Sequence, residues 1–229
     1  MEFIYFLIFS IVLFLMSLVS YEKFRSTTLY ALAIGGAVNA NFFHAGKYPI
    51  VCFGVSFGID SIIYTLFAFC VILMFLKENK REAYILSFSS VIAIMFSACM
   101  QLVSNLLTIG SSVAVWKEFA NFAVSSIATV ITIWIMLEVL FKLKQKNINQ
   151  YIILLVGMLI VTVVNSSIYY TAVTIINGAP ENIWNLMLGS IIGKIIAVLC
   201  SLGVLYLSNK IDAIIIKRKN ISENVEENK

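Results

Sequence analysis

Residues 183–208 read IWNLMLGSIIGKIIAVLCSLGVLYLS, an apolar run whose single charge is Lys194. About 20 such residues, rising ~1.5 Å each, cross the ~30 Å hydrocarbon layer of a bilayer. The same reading applies to Phe3–Ser20, Thr27–Phe43, Ser61–Leu76, Tyr84–Ile109, Phe119–Phe141 and Tyr151–Ile176, seven apolar segments in all. Over the 229 residues, 61% are hydrophobic, 12% are charged and the mean hydropathy is +0.96. Soluble domains are about 45–50% apolar and about 25% charged. This balance excludes a soluble enzyme, a nucleic-acid-binding domain and a disordered chain. Backbone groups in lipid must pair within their own segment, and no alternating barrel pattern is present, so each segment is expected to be a helix. The expectation is an all-α polytopic membrane bundle of about seven transmembrane helices.

The charges between segments set the orientation. Lys23 and Arg25 follow the first segment, Lys77, Lys80 and Arg81 the third, and Lys142, Lys144 and Lys146 the fifth. Lys210, Lys217, Arg218 and Lys219 follow the seventh, while the remaining loops hold only Lys47 and Lys117. Basic residues stay on the cytoplasmic side, which places the N-terminus outside and the C-terminus inside. The first segment lacks a basic leader region and a small-residue cleavage site, so it reads as a retained helix rather than a signal peptide. Residues 1–210 form one membrane domain, and 211–229 are expected to be a cytoplasmic, disordered tail. Residues 44–60, with Pro49, Gly54 and Gly58, read as a structured outer loop or a re-entrant piece lining a cavity. The second and third segments are the shortest, and the second also carries Gly35, Gly36, Asn39 and Asn41.

Cys52, Cys70, Cys99 and Cys200 are far apart, and His44 is the only histidine, so neither a disulfide framework nor a thiolate or imidazole metal site is expected. No cofactor is implied. No nucleophile, base and orienter stand together, and the chain is not expected to be an enzyme.

To reach the outer headgroups the Lys194 ammonium would have to climb about eight residues, or ~12 Å along the helix axis. That distance exceeds what its four-carbon stem covers by snorkelling. A lysine at mid-bilayer costs ~2.5–3.5 kcal/mol on insertion scales and ordinarily faces the bundle interior or a wet cavity. Ser190, Lys194, Ala197 and Ser201 share one helix face, beside a ridge of small residues at Gly189, Gly193, Ala197 and Ser201 that lets a neighbouring helix approach closely. The string Gly189–Lys194 is not a phosphate-binding loop, since only three residues separate its glycines and Ile195 replaces the hydroxyl. Any ATP-driven step must therefore come from a partner. Polar stripes recur at Ser97, Gln101, Asn105 and Thr108, at Asn121, Ser125, Thr129 and Thr132, and at Thr162, Asn165, Ser166 and Tyr169. Together with Lys194 they point to a central polar cavity. Among the acidic residues Asp60 is the first candidate partner for Lys194, then Glu181, with Glu138 too far toward the cytoplasmic end.

Several strings in this order resemble the vitamin-uptake-transporter-like family, whose characterised members import queuosine precursors (7-deazapurines). They are Leu29-Tyr-Ala-Leu32 after a basic first loop, Ala40-Asn41, Lys80-Arg-Glu-Ala83, and Ser190-Ile-Ile-Gly-Lys194-Ile-Ile-Ala197. The likeness covers about residues 1–210. The sixth span reads Asn165-Ser166-Ser167 where that family often carries an aspartate. The resemblance implies a compact bundle like the substrate-binding components of energy-coupling-factor transporters, with Lys194 and Asn41 carried over as site residues.

The function expected is import of a small nucleobase-like or vitamin-like solute across the plasma membrane. The site residues are Lys194, Asn41, Gln101, Asn165, Ser190 and Tyr169, with Tyr169 or Tyr64 stacking on a planar ring. Partners would be the lipid bilayer, the solute, and an energising ATPase module or a proton gradient, with no nucleic acid. The competing reading is a membrane-embedded sensor or scaffold that moves nothing.

Overall fold

A computed structural model describes residues 2–40, 49–52, 55–58, 60–178 and 183–227. The chain folds as a bundle of long helices: α1 (Glu2–Phe24), α2 (Ser26–Ala40), α3 (Asp60–Lys77), α4 (Lys80–Thr108), α5 (Val113–Gln145), α6 (Gln150–Ile160), α7 (Ser166–Asn177) and α8 (Ile183–Glu227). Between α6 and α7 the helix does not break, but widens into a π turn at Val161–Asn165. Six of these stretches are long and apolar enough to cross a bilayer: Phe3–Phe24, Asp60–Lys77, Lys80–Thr108, Val113–Gln145, Gln150–Ile176 and Trp184–Lys210. The protein is a polytopic membrane helix bundle.

The second expected span, Thr27–Phe43, is a helix of only 15 residues within the described part of the chain, or ~22 Å at ~1.5 Å per residue. It still returns the chain to the opposite face. Tyr30, near its start, donates to Glu82 at the start of α4 (3.2 Å), while Gly36 lies against Ile63 and Leu66 in the first turns of α3. A left-handed residue, Arg25 (φ 57°), makes the reversal from α1 into α2. Its amide closes the last turn of α1 by donating to the Tyr21 carbonyl (2.8 Å).

Within residues 44–60, read as a structured outer loop or a re-entrant piece, the described residues form two short strands. β1 (Pro49–Cys52) and β2 (Val55–Gly58) pair antiparallel, Pro49 opposite Gly58 and Cys52 opposite Val55. Ile50, Val51 and Val55 are β-branched, which favours a strand over a helix. Pro49 occupies the first strand position, where a missing amide proton is tolerated. The hairpin packs against α8 and α1 at the outer end of the bundle.

The core is centred on α3. Its sequence from Ser61 to Phe75 has no polar face, and apart from Tyr64 every residue in it is buried. A helix that is apolar all round belongs inside, surrounded by other helices. By contrast α4 turns Phe88, Ile92, Phe96, Met100, Val103 and Leu107 outward at three- and four-residue steps, all more than half exposed. In a bilayer that stripe faces lipid. At Gly157 an added Cβ would come within 2.7 Å of Ile72 Cδ1 and 3.1 Å of Leu140 Cδ1, so α6 seats closely on α3 and α5 there.

The basic loops gather at one end, as the charge pattern requires. Tyr21 donates to Glu78 (2.8 Å), Lys80 pairs with Glu138 (2.8 Å), and Tyr84 donates to the same carboxylate (3.1 Å). The Lys144 ammonium donates to the carbonyls of Phe75 and Leu76 (3.2 and 3.4 Å), capping the C-terminus of α3. Beyond Lys210 the backbone of α8 continues as helix to Glu227. The stretch expected to be a disordered tail is helical instead. Its opening residues, Ile211-Asp-Ala-Ile-Ile-Ile-Lys-Arg-Lys219, contain no glycine or proline to stop a helix that is already nucleated.

A polar relay around Lys194

Four helices bring polar side chains to one level in the outer half of the bundle. Lys194, on α8, is only 6% exposed. The membrane-spanning stretch of α8 begins at Trp184, so Lys194 sits ten residues, or ~15 Å, below its outer end. The ammonium does not climb to the interface. It donates to Ser166 Oγ (2.8 Å) in the first turn of α7 and lies over the Tyr64 ring of α3, 5.0 Å from the centroid. A cation within ~6 Å of an aromatic face is attracted to it, most strongly where water is excluded.

The ring beneath the ammonium is itself fixed. Tyr64 Oη and Thr129 Oγ1 of α5 share a hydrogen bond of 2.9 Å. Thr129 already donates its proton to the Ser125 carbonyl (2.8 Å), so the tyrosine must be the donor. A single relay thus runs from α5 through α3 to α8 and on to α7. Asp60, one turn above Tyr64 on the same face of α3, acts electrostatically on Lys194, Tyr169 and Tyr170. The rings of Tyr169 and Tyr170 meet edge-on at 5.3 Å.

The π turn ends at Asn165, immediately before the serine that receives Lys194. π turns concentrate at functional positions in helices. Asn165 is 8% exposed. Its Oδ1, like Thr132 Oγ1 of α5 and Ser61 Oγ of α3, is buried without a hydrogen-bond partner among the described residues. Buried acceptors left unpaired are uncommon and costly, and a bound solute is one way to satisfy them.

Of the site residues expected from the sequence, Lys194, Asn165, Ser190 and Tyr169 come together here, and Asn41 lies outside the described residues. Gln101 belongs elsewhere. Its Nε2 donates to Glu118 Oε1 (3.0 Å) and Asn105 Nδ2 to Glu118 Oε2 (3.2 Å), forming a clasp between α4 and α5. Through these two bonds the polar stripe of α4 ties two helices together. Glu138 pairs with Lys80 at the cytoplasmic end, far from Lys194 as its position in the chain required. Sequence reasoning missed Tyr170 as a site residue and Glu118 as the acceptor for both amides. Gln101 and Asn105, one turn apart on α4, were the available signal that a partner helix had to supply an acceptor.

Two cavities lie away from this relay. One, of about 430 Å³, is at the outer α4–α5 turn and is lined by Ser111, Trp116, Lys117 and Ile176 among others. The second, about 170 Å³, is an apolar crevice between α4 and α5 lined by Tyr84, Phe88, Ile133 and Trp134 among others. No protein-family model, no curated protein and no solved structure matches the chain.

Proposed function

We propose that this protein is a small importer of the plasma membrane, which binds a nucleobase-like or vitamin-like solute among α3, α5, α7 and α8. One observation carries this reading: a lysine ammonium buried at mid-bilayer depth, held by one serine and one aromatic face. An ammonium has three protons to donate. Charges placed inside a membrane bundle at this cost ordinarily mark a solute or ion path. The Tyr64 ring lies against it, and the same helices carry Tyr169 and Tyr170 and the buried acceptors Asn165, Ser61 and Thr132, the mixture of apolar surface and few polar groups that small-molecule sites use. Lys194 donates to a carbonyl or an anionic group of the solute, and Tyr64 or Tyr169 stacks on its ring.

The sequence resemblance makes a 7-deazapurine the first solute to test. The energy comes from a proton gradient or from an ATPase module docked on the cytoplasmic loops. Uptake of a radiolabelled 7-deazapurine into proteoliposomes, with an imposed pH gradient and with an uncoupler, tests both points. Saturable uptake abolished by the uncoupler supports a proton-driven importer. Binding to the purified protein without uptake supports dependence on an ATPase module. Neither binding nor uptake, for this solute and for a panel of vitamins, would refute the proposal.

A further inference from the structure

The polar groups around Lys194 fall into two tiers, because three helices each present a pair spaced four residues apart. These pairs are Asp60 and Tyr64 on α3, Ser166 and Tyr170 on α7, and Ser190 and Lys194 on α8. α3 and α8 run from the outer face inward and α7 runs outward, so Asp60, Ser190 and Tyr170 share the outer level, with Tyr169 beside them. Tyr64, Lys194 and Ser166 share the inner level, one helical turn or ~5.4 Å below. Contacts within each level agree. Below, Lys194 bonds Ser166 and covers Tyr64; above, the rings of Tyr169 and Tyr170 meet edge-on, within the electrostatic reach of Asp60.

The two tiers have opposite character. The outer one joins a carboxylate, at the N-terminal end of α3, to two tyrosines and a serine, and Ser61 Oγ, buried and without a hydrogen-bond partner among the described residues, adjoins Asp60 in sequence. Carboxylate with aromatic faces is the chemistry that receives an ammonium, an amidine or an N–H edge. The inner tier offers an ammonium and receives a carbonyl or an anion. We infer that Asp60, Tyr169, Tyr170 and Ser190 form an outer subsite for a cationic or N–H-donating group, so that the solute is amphoteric and lies with its donor end outward and its acceptor end on Lys194. This assignment rests on the solute-binding reading above and adds the class and orientation of the solute.

For such a subsite to operate, the outer tier, where Ser190 is only 6% exposed, must admit reagents from outside and prefer cations, and both properties are measurable without knowing the solute. In the full-length protein in sealed proteoliposomes, Ser190→Cys is exposed to trimethylammonioethyl or sulfonatoethyl methanethiosulfonate, two permanently charged thiol reagents. Modification is located by mass spectrometry, so the native cysteines do not interfere. The cationic reagent is expected to modify position 190 at least about tenfold faster, the scale on which a charged cleft concentrates counter-ions. Asp60→Asn in the same background should bring the ratio close to one, while gel filtration confirms a folded protein. Tyr169→Cys serves as the second probe position if Ser190→Cys does not fold. Equal rates for the two reagents, or no modification from outside at either position, would overturn the inference. Charge-selective labelling in a protein that shows no uptake would keep the subsite and remove the transport reading, and uptake without charge selectivity would do the reverse.

Discussion

Tyr64 separates two contributions at the residue scale, because its ring serves Lys194 while its hydroxyl serves Thr129. Tyr64→Phe keeps the ring and removes a hydrogen bond worth about 1 kcal/mol, so solute affinity should weaken about fivefold. Tyr64→Leu also removes a desolvated cation–π contact of about 2 kcal/mol, and the loss should exceed about thirtyfold. Equilibrium binding to the two purified variants checks the order, and equal losses would mean that the ring face is not used. Asn165 and Ser166 show the limit of reading such residues from spacing alone. The sequence places both on a polar stripe, but which one meets Lys194 depends on the extra residue that the π turn accommodates. The run Val161-Thr-Val-Val164 is rich in β-branched side chains, which fit a helix less well, yet it gives no measure of where the helix widens.

At the scale of elements, the π turn and the Glu118 clasp make distinct predictions. Deleting Val163, which is half exposed on the outer surface of the turn, removes the extra residue and lets α6 and α7 run on as an ordinary α-helix. Ser166 and Tyr169 keep their faces while Asn165 rotates, so we expect a folded protein with little change in melting temperature. Uptake should fall by at least about tenfold, the scale of losing one good polar contact. Full uptake in that variant would make the turn a packing feature only. Glu118→Ala should act in the opposite way, on stability rather than transport. It strips a charged acceptor from Gln101 and Asn105, and hydrogen bonds to charged groups contribute about 1.5–3 kcal/mol in soluble proteins but nearer 0.6 kcal/mol between membrane helices. A loss of about 1 kcal/mol, read as a lower unfolding midpoint in denaturing detergent, is expected with binding unchanged. Glu138→Gln, at the solvated cytoplasmic end, should shift the midpoint less than Glu118→Ala does.

For the whole molecule, the spans were legible because they follow from hydrocarbon thickness, which needs no partner, and the loop charges predict their direction. Cysteines introduced at Ser111 and Asn147, both exposed at turns at opposite ends of α5, should react with membrane-impermeant thiol reagents from outside and only after permeabilisation, respectively. The reverse pattern would invert the topology. The central place of α3 was less legible. A short apolar stretch looks the least secure span when read alone, and its burial on all sides is decided by the helices that surround it. The β-hairpin was likewise hidden, since the glycines and β-branched residues around it fit several structures until neighbours select one, whereas the helix at 26–40 was read from its apolar run. The burial of Lys194 was legible, since its cost in lipid is visible in any sequence, and the groups it meets were not, since they depend on which stripes converge.

Lys194→Met isolates the claim on which the account rests, that the buried ammonium is there for a solute and not for the fold. Melting temperature and uptake are measured together on the same proteoliposome preparation. Methionine fills much of the same volume without a charge to desolvate, so a solute-binding lysine predicts a melting temperature unchanged or raised and uptake reduced to background. A melting temperature several degrees lower, with uptake falling only in proportion to the folded protein that remains, would contradict it.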